Sequence, residues 1–162
     1  MIYPVQGNPK VTSGFGDRVH PVTGVVKFHN GIDLSVPVGT PVYSPESGTV
    51  DAWLTNEVGG KQMIVQHDNG MRTGYAHLDY RYKNEGDRVQ RGEVIARSGD
   101  TGATTGAHLH FTMKDADGNF LDPVKYYSTA QKKNGNMAFI LTGLGILTAL
   151  YFWYDSTETK TK

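Results

Sequence analysis

The chain has 162 residues, with 16 lysines and arginines against 16 aspartates and glutamates, and no cysteine. That length holds one ordinary domain with a modest core, and the charge balance excludes the basic excess of a nucleic-acid-binding protein. The missing thiols exclude disulfides and thiolate zinc sites, so any metal must be held by His, Asp or Glu.

The opening stretch MIYPVQGNPKVTSG has no basic n-region, no apolar h-region and no small-residue cleavage site, so no secretory leader is expected in it. Twenty glycines, and nine tyrosines beside two tryptophans, indicate a turn-rich β protein. Runs of β-branched and aromatic residues predict strands at Pro41–Tyr43, Gly48–Leu54, Gln62–His67, Arg72–Leu78, Val94–Ser98 and His108–Lys114. Asp68-Asn69-Gly70, Glu85-Gly86-Asp87 and Asp115-Ala116-Asp117-Gly118 predict turns between them. The expected fold is all-β, a compact antiparallel sheet over residues 1–127. SGDTGATTGAHLH is too rich in glycine for regular structure before His108 and reads as a loop feeding a strand. Pro123 predicts a short helical turn from Asp122 to Tyr127.

Residues 128–136 read as a polar linker. Met137 to Tyr154 is then almost continuously apolar, MAFILTGLGILTALYFWY. At a helical rise these residues span about 27 Å, close to the hydrocarbon thickness of a bilayer. Tyr151, Trp153 and Tyr154 stand where an aromatic belt belongs, and Lys132 and Lys133 flank the other end. A buried core helix would carry a polar stripe, whereas Thr142 and Thr148 are the only polar side chains before the tyrosines. The expectation is one transmembrane helix at 137–154 followed by a short polar tail, 155–162. The weak lysine bias leans toward the large domain being cytoplasmic at insertion.

The chemistry lies in six histidines: His20, His29, His67, His77, His108 and His110. In a strand, His108 and His110 point to one face, about 6.5–7 Å apart, so one or both could serve a metal site. His29 and Asp33 would be about 13 Å apart in an extended strand. To share an ion the chain must turn between them, most easily at Gly31. Two histidines and an aspartate leave a fourth position for water, which is the catalytic form of a zinc site. Arg18 and His20 read as structural or groove residues, and His67 as a packed or solvated histidine at a strand end.

Three stretches carry a resemblance. SGFGDRVHPVTGVVKFHNGIDLSVPVGTPVYSPESGTV, GMRTGYAHL and GDRVQRGEVIARSGDTGATTGAHLHF resemble, in order and spacing, the motifs of the LytM-like, lysostaphin-type zinc endopeptidases, peptidase family M23. The resemblance runs from about Val11 to Tyr127 and leaves the C-terminal span outside. It implies one zinc ion held by His29, Asp33 and His110, with His77 and His108 flanking the open position. No HExxH motif supplies a glutamate base. His77 or His108 would then act as general base, and the other as oxyanion stabiliser or proton donor. The implied substrate is the peptide part of bacterial peptidoglycan, either a cross-link or a bridge. An apolar tail with no export signal fits a virus-borne lysin anchored in a virion or host membrane. The rivals are a cellular wall-remodelling enzyme and a non-catalytic peptidoglycan-binding or amidase-activating module. The last typically lacks a site residue, and all five are present here.

Overall fold

The computed structural model describes residues 2–7, 9–19 and 24–129. The chain divides into two compact units, residues 1–126 and 127–162. Twelve strands follow in order: β1 (Val11–Ser13), β2 (Gly16–Val19), β3 (Val26–His29), β4 (Gly31–Leu34), β5 (Pro41–Tyr43), β6 (Gly48–Asn56), β7 (Gly60–His67), β8 (Arg72–Arg81), β9 (Arg88–Val89), β10 (Val94–Ser98), β11 (Leu109–Lys114) and β12 (Phe120–Leu121). A helix follows at 123–129, where the proline predicts a helical turn.

Ten strands form one sheet with the path β1-β4-β11-β8-β7-β6-β9; β10 joins β8 to β5, and β12 pairs with β11. Strands β2 and β3 form a separate hairpin. Every pairing among the described residues is antiparallel. The six strands expected from the sequence are all present.

The four strands before Pro41 were not expected. They are three or four residues long, too short to display a period. The hairpin is largely exposed, with Val26 and Phe28 open to solvent, while β4 is buried nearly throughout. Neither gives the alternation by which a half-buried strand is recognised.

Strand β11 lies between β4 and β8. Leu109, Phe111 and Met113 are completely buried on one face, and His110, Thr112 and Lys114 alternate onto the other. Burying each apolar side chain contributes about 1.5–3 kcal/mol. A one-residue slip would turn all of them outward, so the core fixes the register that aims His110. Gly31 opens β4 opposite Thr112. A Cβ there would lie 2.4 Å from the Phe111 carbonyl oxygen. The glycine thus permits close approach of β4 to β11; its φ is not positive, so it is not the conformational hinge expected from the sequence.

The apolar run at 137–154 lies outside the described residues, as do the linker from residue 130 onward and the polar tail. Among the described residues no helix is long and apolar enough to cross a membrane.

Candidate metal centre

His110 and Asp33 are direct partners in the β11–β4 ladder. Their facing atoms, His110 Nδ1 and Asp33 Oδ1, are 2.8 Å apart. His29, at the end of β3, adds its Nε2 at 3.0 Å from His110 Nδ1 and 3.3 Å from Asp33 Oδ1. The break between β3 and β4 at Asn30 supplies the change of direction that His29 and Asp33 need in order to converge.

The outward nitrogens settle the tautomers. His29 Nδ1 lies 2.7 Å from the Gly14 carbonyl oxygen, and a carbonyl can only accept, so Nδ1 carries the hydrogen. His110 Nε2 lies 3.2 Å from Asn30 Oδ1 and donates to it. In their neutral forms both rings therefore aim a lone pair at the Asp33 carboxylate. Three acceptor atoms this close repel one another unless a cation sits among them. A tetrahedral ion with ligand distances near 2.05 Å separates its ligands by about 3.3 Å, close to the spacing seen here. The donor set fits a divalent ion of borderline softness, and the outer hydrogen bonds are of the kind that orient metal-bound histidines. Among the described residues this is the one group of three or more His, Asp or Glu side chains able to hold a metal.

Burial pushes the Asp33 carboxyl up. When the His110 and His29 rings are protonated, the N–H groups they then turn to the carboxylate, together with their charge, outweigh that and hold it well below the usual carboxylate range.

His77 and His108 stand beside this cluster with ring centroids 4.5 Å apart. His77 also lies 6.3 Å, centroid to centroid, from His110, and His108 Nε2 is 3.8 Å from Asp33 Oδ1. Both repeat the tautomer device: His77 Nδ1 donates to the Thr101 carbonyl at 2.8 Å, and His108 Nδ1 to the Gly106 carbonyl at 2.8 Å. Each thus keeps Nε2 free. Burial, followed by repulsion from neighbouring histidines, lowers the pKa of His77.

A β-bulge aims His77. In β8, Thr73 and Tyr75 face the core, and by alternation His77 would follow them. Two steps along β7, Lys61 to Met63, oppose three along β8, Leu78 to Tyr75. The extra residue shifts the parity, so Leu78 enters the core instead. His77 takes φ +60°, the only non-glycine residue with positive φ among those described, and such strain persists only where neighbours enforce it. Its N–H bonds the Gly59 carbonyl at 2.9 Å. Thr101 locks the same region, its hydroxyl donating to the Leu78 carbonyl at 2.8 Å and accepting from the Lys61 N–H at 3.0 Å.

The five histidine and aspartate residues selected from the sequence therefore share one groove of about 660 Å³. One wall is the β2–β3 hairpin with Arg18, Lys27 and Phe28; the other carries Asn56, Val58, Gln62 and Thr104. His67 lies elsewhere. It is buried and bonded through Nε2 to the Thr73 hydroxyl at 2.8 Å. His20 falls outside the described residues. Sequence reasoning did not select Asn30 or Thr101. Asn30 adjoins His29 in sequence; the part played by the Thr101 carbonyl has no side-chain signature.

Residues 27–123 match the model of Peptidase family M23. The peptidoglycan DD-endopeptidase ShyA of Vibrio cholerae is 40% identical over 112 residues, 68% of this chain and 26% of that protein. The chain thus spans about a quarter of the length of the curated relatives it matches. A zinc-containing peptidase from Vibrio cholerae superposes with a TM-score of 0.69 at 40% identity, covering 74% of this chain and 37% of that one. The catalytic domain of lysostaphin from Staphylococcus simulans gives 0.65 at 30% identity, covering 74% and 92%. The stretch matched by the family model includes His29, Asp33, His77, His108 and His110, and the chain belongs to peptidase family M23.

Proposed function

We propose that this chain is a zinc-dependent endopeptidase that hydrolyses peptide bonds in bacterial peptidoglycan. The observation that carries the reading is the convergence of His29 Nε2, Asp33 Oδ1 and His110 Nδ1 within 3.3 Å of one another, beside two imidazoles with their Nε2 atoms free. His29, Asp33 and His110 would hold the ion. Bound there, zinc acidifies water and polarises a peptide carbonyl. His77 and His108 do the proton work. One takes the proton that the attacking water loses; the other, protonated, donates a hydrogen bond to the carbonyl oxygen as that atom gains charge. The similarity to peptidoglycan DD-endopeptidases supports the choice of substrate. The test is zinc content by elemental analysis together with release of soluble fragments from purified peptidoglycan. Stoichiometric zinc and fragment release abolished by a chelator are expected; zinc-loaded protein that releases nothing refutes the reading.

The apolar run at 137–154 supports a second part of the reading, that the domain is tethered to a bilayer. The full chain should resist alkaline extraction from membranes, and a chain ending at residue 136 should not. A lysin carried by a virus accounts for such a tether, and detection in purified virions tests that assignment.

A further inference from the structure

The hairpin wall of the groove carries two cations. The chain is neutral overall. Yet the lining of the groove holds two permanent cations, Arg18 and Lys27, and its one carboxylate is Asp33. Arg18 and Lys27 are register partners across β2 and β3. Opposed residues of an antiparallel pair share a face, and His29 lies two residues from Lys27 on that same face. The pair therefore sits about 7 Å along the strand from a proposed metal ligand.

Neither cation is spent on a close acid partner. Arg18 Nη2 reaches no nearer than 3.9 Å to Asp33 Oδ2, with its side chain 37% exposed. Lys27 is exposed and makes no ion pair among the described residues. Asp17, one position along β2 from Arg18, is not among the residues that line the groove. Apart from Arg18, Lys27 and the five site residues, the lining offers amides, threonine hydroxyls and apolar side chains, without charge. A guanidinium with only a long ion pair and an ammonium with none, on opposed positions of the hairpin and both lining the groove, form a receptor for a carboxylate.

We propose that Arg18 and Lys27 form a carboxylate-binding subsite that selects peptides carrying a free carboxylate near the scissile bond over uncharged chains such as oligoglycine. This rests on the hydrolase reading of the same groove and names its substrate class. The ion lowers the barrier for any peptide; the cationic pair chooses which peptide is held against it.

The experiment uses the full zinc-loaded chain and three synthetic substrates. One is a cross-linked stem-peptide dimer with a free carboxylate on the residue that supplies the scissile nitrogen. The others are its carboxamide and pentaglycine. The carboxylate form should be cleaved about 10- to 100-fold more efficiently than the carboxamide, mainly through KM, as expected for one or two charge-assisted hydrogen bonds. The R18Q/K27Q variant, with zinc content equal to wild type, should cleave both dimers at the carboxamide rate. Because Arg18 adjoins Asp33, K27E alone is the second variant and should invert the preference. Equal cleavage of the two dimers by wild type, or a preference unchanged in the variants, overturns the subsite. Calorimetric binding of the two dimers separates this from the parent reading. Zinc-loaded wild type that cleaves nothing, yet binds the carboxylate form more tightly through Arg18 and Lys27, supports the subsite and refutes the hydrolase. No cleavage and no binding preference refutes both.

Discussion

His110 and Asp33 face each other on one rung of the β11–β4 ladder, with Nδ1 and Oδ1 2.8 Å apart. Two of the three proposed ligands are thus set by strand register, which the apolar face of β11 fixes in turn. Only His29 comes from outside the main sheet, and the hairpin that carries it also forms one wall of the groove.

Separating the two pairs of histidines is the most direct test of the site. H110A should lose zinc and turnover together. H108A should keep zinc but lose about 10²- to 10⁴-fold in kcat, the range for a removed acid–base group. Elemental analysis and steady-state kinetics on the same preparations distinguish them, and near-normal turnover in H108A would refute its role.

Metal binding should stabilise the fold. The repulsion among three facing lone pairs is relieved by a divalent ion, and a ligand at a thousand times its Kd adds about 4 kcal/mol. Thermal unfolding with and without chelator should show the shift, and D33A should abolish it.

The close approach at Gly31 predicts that G31A is destabilising, by about 1–3 kcal/mol as for other overpacked sites. The Cβ, 2.4 Å from the Phe111 carbonyl oxygen, would push β4 from β11. That movement also separates Asp33 from His110, so zinc affinity should fall with stability. Denaturant titration and a competitive zinc assay read the two effects.

His67 predicts a pH dependence away from the metal. Burial lowers its pKa; the Ser47 and Glu46 carbonyls and the Glu46 and Asp68 charges oppose this without offsetting it. As pH falls, the unfolded chain takes up the proton first, so this contribution to stability is intact above about pH 6.5 and is lost as pH drops toward the lowered folded value. The slope for one proton approaches about 1.4 kcal/mol per pH unit. Unfolding of metal-loaded wild type and H67Q between pH 7.5 and 5 should show a shallower acid slope in the variant.

Thr101 should act through His77. Its carbonyl accepts from the ring and its hydroxyl ties Leu78 to Lys61. T101V leaves two partners of the hydroxyl unsatisfied and should lower kcat with KM and zinc content little changed. T101S should restore the rate. A T101V enzyme with wild-type kcat would show that the bulge holds His77 without the hydroxyl.

The longer strands were legible as β-branched and aromatic runs set off by turn residues rather than by strict alternation: in β7, apolar Ile64 stands between buried Met63 and Val65. The proposed ligand set was legible as a resemblance, and the tautomers of its histidines were not. The carbonyls of Gly14 and Thr101 take up the N–H groups of His29 and His77 from distant parts of the chain, and that of Gly106 takes up the N–H of nearby His108; a main-chain acceptor leaves no residue type to read. The bulge at Ala76–His77 did leave a trace: apolar parity changes between Tyr75 and Leu78. That trace is recognisable only once Tyr75 and Leu78 are both known to be core.

The reliance on peptide carbonyls has a practical corollary for anyone mapping this protein by substitution. Three of the four acceptors that orient the imidazoles are peptide carbonyls, so alanine scanning leaves those oxygens in place and Asn30 is the one acceptor it erases directly. The three carbonyls themselves move only when the path of their loops changes, by insertion, deletion or cyclic permutation, or by loss of a side chain such as that of Thr101 that holds the loop in place.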